Sequence, residues 1–354
     1  MREKGMRQEL MKKTTICCIC FFVITMGTII YLSVHKVVTI EGVAQDEVAG
    51  ETIATGNESH ALAFQPGEAD SSYLRIPLPE GCKASDITIE NHYMDQELWI
   101  YVPGGNEDFY RENVLSGNHQ MINAGSFDLV QGGIVLNLQL TGICECRTIL
   151  ENENLYISFL TPREVYDRIV VIDPAYGGRE EGAVRNGLKE KNVVLAVARA
   201  LKEKLDGEDI KVYYTRMDNI YEDESDRIIL GNGAKADMYI RIETACGEAS
   251  EEYGIRALYN GTYFIPGFGN IELADTLERE VTVSVSGKAQ GLLEEPDPDS
   301  VLYQLTIPAA TIQVGYLSNV QEARLLSRED YIRRIADGIY QSIMTVYEMQ
   351  EKNG

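Results

Sequence analysis

Histidine is scarce in this chain, and its placement matters more than its number. The four histidines are His35, His60, His92 and His119, so no imidazole follows residue 119. Imidazole acid–base catalysis and histidine-bound metals are therefore excluded from the long C-terminal stretch, unless a side chain reaches over from upstream. Basic residues are also few. The 32 Lys and Arg face 55 Asp and Glu, a formal net charge of −23. A nucleic-acid partner needs a basic surface and is excluded on that ground. Of the seven cysteines, Cys17, Cys18 and Cys20 lie in one apolar run, leaving Cys82, Cys144, Cys146 and Cys246. They form no repeated Cys-x-x-Cys pairs, which excludes a zinc ribbon and leaves either one disulfide or free thiols.

The 354 residues and their 44% hydrophobic content leave room for more than one core. Residues 1–13 form a basic tail with Arg2, Lys4, Arg7, Lys12 and Lys13, followed by the uncharged run Thr14–Val34. That run has about the roughly 20 residues that cross a bilayer as a helix, and the positive charges place the N-terminus in the cytoplasm. A cleaved signal peptide has a shorter apolar core and a small-x-small site, so an uncleaved anchor is the expectation. The rest of the chain then lies outside the cell membrane. Residues 35–72 are acidic and small, and read as a linker. Residues 73–162 carry alternating runs such as Glu97-Leu98-Trp99-Ile100-Tyr101-Val102, punctuated by glycine-rich turns, and predict a small all-β domain.

From residue 163 to 354 the pattern changes to alternating strands and helices. Arg168-Ile169-Val170-Val171-Ile172 reads as a strand buried on both faces, ending abruptly in Asp173-Pro174-Ala175-Tyr176-Gly177-Gly178. Glu190–Leu205 places Val193, Val194, Val197, Ala198 and Leu201 on one helical face. Further strands are expected at 210–214, 237–242, 255–259 and 310–314, and helices at 226–233 and 271–280. A last helix, capped by Ser327, turns Tyr331, Ile335, Ile339, Ile343 and Val346 inward. The expected fold is α/β, a mostly parallel sheet with helices on both faces.

Several stretches then act together: Ile172–Gly178, Gly187–Asn192, Thr215-Arg216, Arg227 with Asn232, Ala236-Asp237, and Pro308–Asn319. In this order and spacing they resemble the zinc-dependent N-acetylmuramoyl-L-alanine amidases, cell-wall hydrolases with a phosphorylase/hydrolase-like fold. The β-rich stretch before them resembles, in position and strand pattern alone, accessory modules such as the AMIN domain. The resemblance implies one zinc ion held by two histidines and a carboxylate, with a further glutamate as general acid or base. Carried onto this chain, the histidines fall on Tyr176 and Glu243, the carboxylate ligand on Glu190 and the catalytic glutamate on Gln313. Only Glu190 is retained. No zinc or other cofactor is therefore expected, and the family activity is expected to be lost.

The replacements suggest their own arrangement. Arg241 and Glu243 are two apart on a strand and share a face. Arg241 is expected to take over the metal's electrostatic role by bridging Glu190 and Glu243, with Asp173 at the end of the first strand. The alternatives are that Arg241 reaches solvent with Glu243 a plain surface charge, or that Glu190, Glu243 and Tyr176 form an oxygen-only site for a hard cation. The expected role is binding of peptidoglycan or an envelope protein through the old groove. Retained hydrolysis at an atypical metal site, and interaction through the β domain alone, are the rivals.

Overall fold

The computed structural model describes residues 60–66 and 72–353. The expected basic tail and the apolar run 14–34 lie outside the described residues. Among those described, no helix is long and apolar enough to cross a membrane.

The first module is two five-stranded sheets. Alternation does what the sequence predicts: along Glu97–Pro103, Leu98, Ile100 and Val102 are buried while Trp99 points to solvent. Together with Leu74, Ile76, Leu136, Leu138, Leu155 and Ile157 they fill the module's core. One boundary needs correction. Residues expected in the linker belong to the sheets, for His60–Ala61 pairs with the Ile122–Val130 strand and Phe64–Pro66 with Leu115–Gly117. Strands of two and three residues at a sheet edge carry too little alternation to be seen in sequence. Cys82, Cys144, Cys146 and Cys246 are free thiols.

The second module contains β1 (Ile169–Pro174), α1 (Glu190–Leu205), β2 (Lys211–Tyr214), α2 (Glu224–Ala234), β3 (Met238–Ala245), β4 (Ile255–Tyr259), α3 (Asn270–Val285), β5 (Ala289–Glu294), β6 (Ala309–Tyr316), α4 (Val320–Leu326) and α5 (Glu329–Asn353). The sheet order is β2-β1-β3-β6-β4-β5. It is mixed rather than uniformly parallel, because β4 runs antiparallel to β6 while β5 follows β4 in parallel. The reason lies in the connection. Residues 246–254 join β3 to β4 without a helix, and a parallel return needs a crossover of about a dozen residues or more. Strand β5, half-exposed and interrupted by Gly291, carries no alternating apolar pattern that would mark it in the sequence. Ser327 closes α4 rather than opening α5.

Helices α1, α3 and α5 cover one face through Val194, Leu201, Leu277, Ile335 and Ile339, packed on Val170, Ile172, Ile240 and Ile312. The other face meets α2 and, unexpectedly, the β module. Met94 and Ile143 join Ile169, Val171, Leu230 and Tyr239 in one core. At its edge the buried carboxylate of Glu145 accepts hydrogen bonds from Tyr213 Oη (2.5 Å) and Tyr93 Oη (3.1 Å) and pairs with Lys211 Nζ at 3.1 Å. Lys211 Nζ also lies 4.8–5.0 Å from the ring centres of Tyr93, Tyr166 and Tyr213. Glu145→Ala strands this half-buried ammonium and is expected to lower the unfolding free energy by about 2–3 kcal/mol. A shift below about 0.5 kcal/mol in urea denaturation would mean that the modules are not coupled there.

Candidate functional site

The site positions gather where β1, β3 and β6 end and β4 begins, on the face that carries Ile169, Val171 and Tyr239. Ends of parallel strands are where α/β sheets place their ligands. Two rows cross the sheet there. Asp173 is in register with Arg241, and Arg241 with Thr311; one step on, Glu243 is in register with Gln313, and Gln313 with Arg256.

Asp173 is fully buried and answers to three donors. Its Oδ1 accepts from Arg227 Nη1 and from Thr215 Oγ1 (2.7 Å), and its Oδ2 from Arg241 Nη1 at 2.7 Å. Burial alone would push this carboxyl up, but the Arg227 and Arg241 guanidiniums outweigh it and hold the group below the usual carboxylate range. Arg241 turns its Nε to Glu243 Oε1 at 2.8 Å. Burial opposes the Arg241 charge, and Asp173 and Glu243 more than restore it. The expected bridge therefore exists with one different partner: Asp173 stands where Glu190 was predicted. The ladder explains it, since β1 and β3 bring Asp173 directly opposite Arg241.

Glu190 is buried at the first turn of α1 and is fixed by backbone amides. Ala183 N donates to Oε2 at 2.8 Å and Thr244 N to Oε1 at 2.6 Å. Burial raises its carboxyl to about 7, with the Glu243 charge adding to the rise and the two amides opposing it. Tyr176 sits at the turn with φ +60, a left-handed conformation that is uncommon for an aromatic residue. Its carbonyl accepts from Arg227 Nη2 at 3.1 Å. Burial, then the nearby Glu243 and Glu190 charges, push the phenol well above its ordinary value, so it keeps its proton. The turn cannot relax at Gly177, where a Cβ would lie 1.9 Å from the Ile220 carbonyl oxygen. Tyr176 and Glu190 both crowd Gly182, whose Cβ would come within 2.7 Å of each.

Gln313 is buried, and its Oε1 accepts from Arg256 Nε (3.0 Å) and Nη2 (2.7 Å). Arg256 was not anticipated. The signal was present as a lone arginine inside the apolar strand Ile255-Arg256-Ala257-Leu258-Tyr259. The roles of Thr215 and Arg227 in fixing Asp173 were likewise invisible, because both come from elements distant in sequence. Cys246 is exposed just beyond β3.

A zinc ion does not suit this donor set. The imidazole positions hold a protonated phenol and a carboxylate already paired with Arg241, and a fixed cation occupies the space beside them. Among the described residues the remaining histidines stay in the β module. His60 stacks on Phe127, His92 on Trp99 and His119 on Phe64. A hard cation meets the same obstacle, since Glu243 is paired with Arg241 and both oxygens of Glu190 already accept a backbone amide.

Comparison with known proteins matches residues 170–345 to the sequence profile of the N-acetylmuramoyl-L-alanine amidase family, Amidase_3. The uncharacterized protein YqiI of Bacillus subtilis is 28% identical over 184 residues, which span 51% of this chain and 85% of YqiI. The germination-specific N-acetylmuramoyl-L-alanine amidase of Bacillus subtilis is 29% identical over 196 residues, 51% of this chain and 80% of that enzyme. The crystal structure of N-acetylmuramoyl-L-alanine amidase from Clostridium difficile 630 is 29% identical, covers 51% of this chain and 97% of its own, and has a TM-score of 0.48.

Proposed function

Residues 170–345 belong to the N-acetylmuramoyl-L-alanine amidase family, and we propose that this chain uses the family's groove to hold peptidoglycan, or an envelope protein, without cutting it. In this reading the run Thr14–Val34 anchors the chain in the cell membrane and the folded region faces the wall. One observation carries it: the Arg241 guanidinium is clamped between Asp173 (2.7 Å) and Glu243 (2.8 Å), among the positions to which the family assigns its metal ligands. Gln313 supports the same conclusion independently, because an amide cannot exchange a proton at neutral pH as the family's glutamate does. Peptidoglycan as the bound polymer is supported by the family itself. The acidic chain, at −23, is a poor match for anionic wall polymers and favours neutral glycan-peptide or protein partners.

The test is metal analysis of the purified protein, with stem-peptide release and co-sedimentation measured on purified peptidoglycan. Retention on the wall without release, and without stoichiometric zinc, is the expected result. Stoichiometric zinc together with release would overturn the reading and point to an atypical catalytic metal site. Failure to co-sediment would remove peptidoglycan as the partner.

A further inference from the structure

Three guanidiniums near the strand ends are already fully engaged, and one is not. Arg227 and Arg241 are paired with Asp173, and Arg216 is buried with its donors on the carbonyls of Pro174, Ala175, Lys191 and Asp218. Arg256 differs. It is partly exposed, and no carboxylate oxygen lies within the 4.0 Å ion-pair distance among the described residues. Its Nε and Nη2 are spent on Gln313 Oε1, while Nη1 has no bonded partner there. The Gln313 amide fixes the guanidinium in place but, being neutral, leaves its charge uncompensated. The Tyr316 ring, 5.8 Å from Cζ, flanks it on another side. A glutamate at position 313, as in the family pattern, would instead neutralise Arg256.

We propose that Arg256 receives a carboxylate of a peptide lying in the groove. The proposal rests on the reading that the groove binds a muramoyl peptide, and it names what that peptide must offer. The row Glu243–Gln313–Arg256 sets the place, with Arg256 at the opposite end from the neutralised Arg241–Glu243 pair. Guanidinium suits the task, because Nη1 and the second N–H of Nη2 remain as two parallel donors for a carboxylate. The two bonds to Gln313 hold that fork before any ligand arrives, which lowers the ordering cost of binding. Loss of catalysis at position 313 and gain of carboxylate recognition at position 256 thus follow from one substitution.

Calorimetric titration of the purified protein with N-acetylmuramoyl-L-alanyl-D-glutamate and with its bis-amide tests this directly. The diacid is expected to bind roughly tenfold tighter than the bis-amide, the gain typical of one charge-assisted hydrogen-bonded pair. Arg256→Met is expected to bind both ligands equally, at about the bis-amide level. Gln313→Glu, which adds an ion pair instead of removing a contact, is expected to abolish the preference as well. If the parent protein binds diacid and bis-amide alike, Arg256 recognises no carboxylate, although the groove still binds the peptide. A preference that persists in Arg256→Met also overturns the proposal, by placing the carboxylate elsewhere. If neither ligand binds, the reading of the groove fails and this proposal falls with it.

Discussion

Asp173→Asn is expected to lower the unfolding free energy by about 3–5 kcal/mol, the usual loss when one partner of a buried ion pair is removed. The substitution is nearly isosteric, so no cavity accounts for the effect. An asparagine can still offer one oxygen to Arg227 and Thr215. Its amide nitrogen would then face Arg241 Nη1, now 2.7 Å from Asp173 Oδ2, and donor would meet donor. Two buried guanidiniums would lose their shared counter-charge, leaving Arg241 with Glu243 and the exposed Glu224 at 3.7 Å. Equilibrium urea unfolding measures the loss, and a value below about 1 kcal/mol would show that the network carries little of the fold. Asp173→Asn combined with Arg241→Met is expected to cost less than the two single changes added together, because the second change removes the stranded charge. The pH dependence has a definite sign. A carboxyl held below its ordinary value contributes stability that is present above the unfolded aspartate pKa, about 3.9, and is lost as pH falls through the folded one. The parent protein should therefore lose more stability than the Asp173→Asn variant between about pH 5 and pH 2.

The second large effect concerns chemistry. Tyr176→His alone is expected to bind no zinc and to release no stem peptide. The new imidazole would meet one usable carboxylate, Glu190, and a fixed guanidinium held 2.8 Å from Glu243. The combination of Tyr176→His, Arg241→Ser, Glu243→His and Gln313→Glu is expected to bind about one zinc per chain and to release stem peptide above background. Each change has a stated job. Two supply imidazoles, one removes the resident cation and one restores a group that can exchange a proton. Removing Arg241 is tolerable in this setting because Asp173 keeps Arg227 and Thr215. The backbone favours the first step too, since φ +60 is more often occupied by histidine than by tyrosine. Zinc content and peptide release are the readouts. A working amidase from Tyr176→His alone would mean that positions 243 and 313 have been wrongly assigned.

Much of this architecture was legible in the sequence because its signals were local. The continuous apolar run Ile169–Ile172 and the helical spacing of Val193, Val197 and Leu201 each require one element only, and both hold. The missing imidazoles were plain for the same reason. Relations across elements were not legible. That Asp173 faces Arg241 depends on the register of two parallel strands, and that Gln313 faces Arg256 depends on β4 reversing direction. Neither is written in any single stretch. The docking of the β module has no local signal either, because Glu145 and Lys211 look like ordinary surface charges until the modules close over them. Charge alone favours a bridge from Arg241 to Glu190. Backbone amides, which charge counting ignores, had already claimed Glu190.

The clamp on Arg241 has one further consequence. A metal centre is assembled after translation: its ligands must shed protons, the ion must be in supply, and a chelator or mild acid can dismantle it. A guanidinium keeps its charge throughout the physiological range, and Asp173 and Glu243 raise the pKa of Arg241 further. The cation fixed at these strand ends is therefore inherited with the polypeptide rather than acquired from the surroundings. It is complete as soon as β1 and β3 pair, and it should be indifferent to metal starvation and to competition between metals for the site.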